Sequence, residues 1–158
     1  MTPWHSAAGA LNLAAAVPMI TLMSNPMPGG HADAAPARVL VIDDEQSVRE
    51  MFRRSLLLAG FDVAVASGGA EGLKMLGTDA EVGLVMLDLD MPYIDGRRFR
   101  EAQRSDPRLA AIPTVIVTGT PITDGIRDTL QASDYLSKPV GRAQLLSVVG
   151  KYCGTQGE

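Results

Sequence analysis

Two short apolar runs in this chain end in acids. Arg38-Val-Leu-Val-Ile is followed at once by Asp43, Asp44 and Glu45, and Val82-Gly-Leu-Val-Met-Leu closes on Asp88. Carboxylates are hard oxygen donors, which suit Mg²⁺ or Mn²⁺ better than zinc. Two like unit charges about 4 Å apart repel by roughly 4 kcal/mol at an effective dielectric of 20, so acids gathered in one place call for a cation. Two other groups also end apolar stretches: Thr118 after Pro113-Thr-Val-Ile-Val, and Lys138 after Tyr135-Leu-Ser. An ammonium and a hydroxyl beside a metal-bound carboxylate are what a phosphoryl group in transfer requires, and a carboxylate there can attack phosphorus and become an aspartyl phosphate. Asp88 is the candidate nucleophile, and Asp43 and Asp44 are candidate metal ligands. Thr118 or Lys138 alone reads as an ordinary surface residue; as a set with three acids they do not.

These groups need elements to bring them together. Both acid-terminated runs are continuously apolar, as strands buried on both faces are. After the first, Val48, Met51, Phe52, Ser55 and Leu56 recur at helical spacing, with Gly60 as a stop. Phe61–Ala66 alternates as a strand, and Ser67 is a candidate cap for a helix carrying Leu73, Met75 and Leu76. A basic helix is expected over Arg97–Arg104, a strand over 113–118, a short helical piece over 123–131, a short strand over 135–137 and a closing helix over 141–152. The closing helix presents Leu145, Val148, Val149 and Tyr152 on one face. This alternation predicts an α/β fold with a doubly wound parallel sheet. In the flavodoxin-like order 2-1-3-4-5 the first and third strands are neighbours. Asp43, Asp44 and Asp88 then meet at the carboxyl edge, where ligands bind in such sheets.

Composition narrows the functional classes. The chain has 158 residues, 46% of them hydrophobic and 20% charged, with a net charge of −4. That acidity argues against sequence-independent nucleic-acid binding, which needs concentrated positive charge. A single cysteine, Cys153, allows no internal disulfide, and no Cys/His grouping has zinc spacing. Both histidines, His5 and His31, and the lone Trp4 precede Arg38, whereas every Lys and Arg follows residue 37. The break divides the chain into an extension, 1–37, a folded domain, 38–153, and a short tail, 154–158. Without histidine the domain can run neither Ser-His-Asp nor Cys-His catalysis. The extension's apolar stretch from Ala7 to Met23 is interrupted by Asn12 and Pro18 and lacks a positively charged lead. It therefore reads as a disordered extension or an upstream start rather than an anchor.

The motifs resemble those of one family. From Arg38 to Tyr152 the chain is similar to the receiver domain of two-component response regulators. Asp43-Asp44-Glu45 resembles its acidic pair, and Leu87-Asp88-Leu-Asp90-Met-Pro92 with Asp95-Gly96 resembles its phosphoacceptor signature. Val117-Thr118-Gly119 resembles its switch hydroxyl, and Tyr135-Leu-Ser-Lys138-Pro139 its aromatic and lysine. The resemblance implies that Asp88 accepts a phosphoryl group from a phosphohistidine of a histidine kinase or histidine phosphotransferase. It implies Mg²⁺ (or Mn²⁺) held by Asp43, Asp44, Asp88 and the backbone carbonyl of Asp90, with Lys138 pairing to the phosphoryl group across a cis Lys138–Pro139 bond. Thr118 and Tyr135 would be the switch residues, Thr118 turning inward and Tyr135 filling the space it leaves. Such a domain is no enzyme beyond self-catalysed phosphotransfer and autodephosphorylation.

Several expectations follow from that resemblance. The stretch from Thr118 to Lys138 is shorter than the family's habit and contains Pro121 and Gly125, so a curtailed or irregular fourth helix is expected. Asp90 and Thr120 flank the expected phosphoryl site and are candidates for tuning its lifetime. Arg97, Arg98, Arg100, Arg104 and Arg108 read as a solvated face with local pairs to Glu101 and Asp106. With six residues after Tyr152 the expectation is a stand-alone cytoplasmic switch. It would act through a downstream protein target, with no direct nucleic-acid or membrane role. Two alternatives stay open: a receiver-like interaction module that is never phosphorylated, and a haloacid-dehalogenase-type phosphatase using Asp88 and Asp90.

Overall fold

The structure is a computed structural model and describes residues 37–154. The readings of the extension up to residue 36, with His5, His31 and Trp4, and of residues 155–158 lie outside the described part. Five strands alternate with five helices: β1 (Arg38–Ile42), α1 (Gln46–Leu58), β2 (Asp62–Ala66), α2 (Gly69–Thr78), β3 (Val82–Asp88), α3 (Gly96–Ser105), β4 (Thr114–Thr118), α4 (Asp124–Leu130), β5 (Asp134–Ser137) and α5 (Arg142–Cys153). A single helical turn, Pro107–Ala110, follows α3. All pairings are parallel, in the order β2-β1-β3-β4-β5. This is the flavodoxin-like order expected, and α4 is the curtailed helix expected, seven residues long.

Side-chain alternation along the strands sorts the core into two layers. Val39, Val41, Leu84, Met86, Val115 and Val117 face α1 and α5, where Phe52, Leu56, Leu145 and Val149 cover them. Leu40, Ile42, Val85, Leu87 and Ile116 face the other side and meet Leu76, Phe99 and Leu130. Both faces are covered, which is why these strands read as unbroken apolar runs.

Two expectations are corrected by the packing. Met51 is 46% exposed rather than a core residue; it lines an open groove with Val48, Phe52, Pro139 and Val140. Ser67 does not cap α2, whose N-cap is Gly68. Instead the Glu71 carboxylate reaches back and accepts from both the backbone N–H and the hydroxyl of Ser67, at 2.6 and 3.1 Å. These hydrogen bonds hold the Glu71 pKa below the usual carboxylate range.

Candidate functional site

Register assembles the site. Ile42 pairs with Leu87, so the next residues, Asp43 and Asp88, emerge side by side at the carboxyl edge. Asp88 in turn pairs with Val117 and Thr118 with Ser137, which brings Thr118 and Lys138 to the same edge. Carboxylate oxygens of Asp43, Asp44 and Asp88 lie within 4.8 Å of one another. Asp43 and Asp88 are buried, and Asp44 is exposed. Asp43 also shapes the start of α1: its Oδ1 accepts from the N–H of Glu45 at 2.9 Å, and its carbonyl accepts from Arg49 at 2.8 Å. The loop after Asp88 folds back on the strand end, with the Gly96 N–H bonded to the Leu89 carbonyl at 3.0 Å. A Cβ on Gly96 would lie 2.6 Å from the Asp88 carbonyl oxygen, so the loop closes this tightly only around glycine. Asp95 then caps α3 by accepting from Arg98 N–H at 3.0 Å.

Lys138 enters this acidic cluster from the far side, through a cis Lys138–Pro139 bond. Its Nζ lies 2.8 Å from Asp43 Oδ2, 3.4 Å from Asp88 Oδ1 and 4.0 Å from Glu45 Oε1. Burial works against the ammonium, yet hydrogen bonding and attraction to Asp43 and Asp88 outweigh it and raise its pKa. For Asp88 the balance runs the other way. Burial first and the Asp43 charge second lift its pKa to about 6, against the pull of Lys138. One ammonium thus faces three carboxylates, and buried Asp88 still resists ionisation. The donor set is all oxygen and short of positive charge, which fits a hydrated hard divalent cation.

The switch candidates are also placed. Thr118 is fully buried at the β4 end; its hydroxyl donates to Asp90 Oδ2 at 3.4 Å and accepts from Thr120 N–H at 3.0 Å. The Thr120 hydroxyl donates to the same Asp90 oxygen at 2.9 Å. A Cβ added at Gly119 would meet nothing within 4 Å, so the approach beside Thr118 is open. Tyr135 is half-buried against α4: its hydroxyl accepts from Ala132 N–H at 2.9 Å and donates to the Arg127 carbonyl at 3.3 Å. The Arg127 guanidinium stacks 4.7 Å from the ring centroid.

The basic helix departs from the expected solvated face at one residue: Arg97, Arg98, Arg104 and Arg108 are exposed, and Arg100 is not. Arg100 is only 7% exposed and pairs with no carboxylate among the described residues. Its guanidinium takes the Leu130 and Gln131 carbonyls at 3.0 and 2.6 Å and Gln103 Oε1 at 2.9 Å. Arg104 adds bonds to the Thr129 carbonyl and the Gln131 side chain. Gln131, left-handed at φ 47°, ends α4, so two arginines of α3 satisfy the last carbonyls of the short helix. Burial is the main reason the Arg100 pKa falls, with Arg104 adding repulsion. The signal available in the sequence was spacing, since Phe99, Arg100 and Gln103 share the buried stripe of α3. The expected local pair of Arg108 with Asp106 does form, at 3.3 Å.

Residues 39–150 match the family model for the response regulator receiver domain. The chain is 34% identical over 117 residues to the DNA-binding dual master transcriptional regulator RpaA of Synechocystis, covering 71% of this chain and 47% of that protein. It is 36% identical over 115 residues to the response regulator MprA of Mycobacterium ulcerans, covering 70% of this chain and 47% of that one. It therefore spans about half the length of the curated relatives it matches. Among solved structures, a response regulator receiver protein from Pseudomonas putida superposes with a TM-score of 0.69 at 32% identity, over 75% of this chain and 98% of that one. The chemotaxis protein CheY4 of Vibrio cholerae gives 0.69 at 28% identity, over 75% and 99%. These likenesses do not favour the phosphatase alternative, and among the described residues no helix is long and apolar enough to cross a membrane. Since the match runs from the first strand into the last helix, the chain belongs to the response regulator receiver domain family, the phosphoacceptor switches of two-component signalling.

Proposed function

We propose that this domain takes a phosphoryl group onto Asp88 from a phosphohistidine on a histidine kinase or histidine phosphotransferase. The observation that carries this reading is the meeting of Asp43, Asp44 and Asp88 within 4.8 Å, with Lys138 on Asp43 and Asp88. A carboxylate oxygen of Asp88 attacks phosphorus, the P–N bond breaks, and the imidazole nitrogen keeps the electron pair. Asp43, Asp44, Asp88 and the Asp90 backbone carbonyl would hold Mg²⁺ or Mn²⁺. When bound, such an ion supplies positive charge to the phosphoryl oxygens. Lys138 neutralises one equatorial oxygen, and Thr118 turns its hydroxyl toward another. Tyr135 follows Thr118, and the shift reaches α4 because the Tyr135 hydroxyl bonds to Arg127 and Ala132. Transfer is self-catalysed, as is the later hydrolysis, whose rate Asp90 and Thr120 tune. The functional unit is residues 38–153, cytoplasmic, preceded by an extension, and its output goes to a partner protein rather than directly to nucleic acid.

The test is incubation of the purified chain with Mg²⁺ and acetyl phosphate or phosphoramidate, read by intact mass. One added phosphoryl group, lost in Asp88→Asn and in EDTA, is expected. Absence of the adduct, or its survival in Asp88→Asn, would defeat the assignment.

A further inference from the structure

A threonine hydroxyl has one proton to donate. Here the hydroxyl of Thr118 gives it to Asp90 rather than to Asp88. Asp90 is held at this spot from two sides. Its own N–H leans on Asp88 Oδ1 at 3.4 Å, and the Thr120 hydroxyl bonds its carboxylate at 2.9 Å. Asp90 caps no helix and makes no ion pair among the described residues. Among the described residues its carboxylate is bonded only to the hydroxyls of Thr118, the last residue of β4, and of Thr120 in the turn that follows.

We propose that the Asp90 carboxylate is an off-state latch, holding Thr118 and, through Thr120, the turn after β4 until a phosphoryl group on Asp88 displaces it. The proposal rests on Asp88 as the acceptor. A phosphoryl group there brings additional negative charge beside Asp90, and its oxygens compete for the one proton of Thr118. The same carboxylate therefore favours the unphosphorylated arrangement by hydrogen bonding and opposes the phosphorylated one by repulsion. Contacts that differ between the two states are what a population shift requires. A side chain added at Gly119 would meet nothing within 4 Å, so the turn has open space beside it.

Charge and hydrogen bonding can be separated with two variants of the full chain. Asp90→Ala removes both, whereas Thr120→Val keeps the charge and the branched shape and removes one bond of the latch. Each is titrated with fluoroberyllate in Mg²⁺, with calorimetry for affinity and NMR for the Thr118 and Gly119 signals before ligand is added. Both variants are expected to bind about three- to tenfold more tightly than the parent. Their free-state signals should already be displaced toward the bound positions. Tighter binding in Asp90→Ala alone would reduce the effect to charge and overturn the latch. So would free-state signals that neither variant moves. A parent protein that binds no fluoroberyllate would instead defeat the Asp88 assignment, while the latch would still stand or fall on whether both variants displace the free-state Thr118 signals together.

Discussion

Asp88→Asn replaces the central carboxylate by a neutral group of the same shape, and its effect on stability can be worked from the site. The Asp88 pKa stands at about 6 in the folded domain, against 3.8 for a free aspartate, because burial and then Asp43 oppose its charge more than Lys138 supports it. At about 1.36 kcal/mol per unit of pKa, ionised Asp88 destabilises the metal-free fold by about 3 kcal/mol at pH 8. The sign follows from proton binding. Between the unfolded and folded values the folded state holds the proton that the unfolded chain has released, so stability falls as pH rises through that window and levels off above 6. The asparagine amide brings two N–H protons where a protonated carboxyl brings one O–H, each needing an acceptor in this buried site, so part of the relief from removing the charge is offset and a net gain of roughly 1–2 kcal/mol is expected at pH 8. For a domain of this size that is a rise in Tm of about 4–8 °C. In thermal melts in EDTA the advantage of Asp88→Asn over the parent should shrink by about 2–2.5 kcal/mol between pH 8 and pH 4, ending level with the parent or slightly below it, because at pH 4 Asp88 is protonated in the folded state and partly so in the unfolded one. Added Mg²⁺ should raise the parent's Tm and leave the variant nearly unchanged. A variant less stable than the parent at pH 8, or a gap independent of pH, would refute the reasoning.

Three further outcomes are expected. Arg100→Met should lower stability by about 2–4 kcal/mol in urea unfolding and loosen amide exchange in α4, because the Leu130 and Gln131 carbonyls lose their donor; Arg100→Lys should recover little, lacking the planar fork. Gly96→Ala should destabilise by about 1–3 kcal/mol and slow phosphorylation by acetyl phosphate, because its Cβ would press on the Asp88 carbonyl and the Leu89 Cα, backbone atoms that cannot swing aside. Lys138→Met should abolish the gain of phosphoryl mass and shift Asp88 titration, followed by carboxyl NMR, to higher pH, because the attraction that restrains its pKa is removed.

The strands were legible because burial on both faces leaves a continuous apolar run, and a run that stops at an acid marks where the sheet meets water. Asp43 and Asp88 were found that way, as were the limits of β3. Thr118 and Lys138 needed only the assumption of parallel register. Met51 was misplaced because a helical period identifies a stripe, not the edge at which the neighbouring helix stops covering it. Ser67 was misplaced because a cap depends on backbone direction, and here the Ser67 hydroxyl donates to the Glu71 carboxylate instead of accepting from a helix N–H. Arg100 was misread because its partners are main-chain carbonyls of a helix end distant in the chain, and carbonyls carry no letter in the sequence.

From residue types and their order alone came the inventory: acids able to hold a hard cation, a carboxylate able to take a phosphoryl group, no histidine in the domain, and the alternation that makes a parallel sheet. Those properties are local, set by side-chain chemistry and by the two periods of strand and helix. Which charges face one another was decided only by folding. Strand register sets Lys138 on Asp43 rather than closest to Asp88, the closing of two loops brings Thr118 and Thr120 to the Asp90 carboxylate, and the abbreviated α4 places its last carbonyls within reach of Arg100. Electrostatic and hydrogen-bond energies fall off over a few ångströms, so they depend on distances that only the tertiary structure sets.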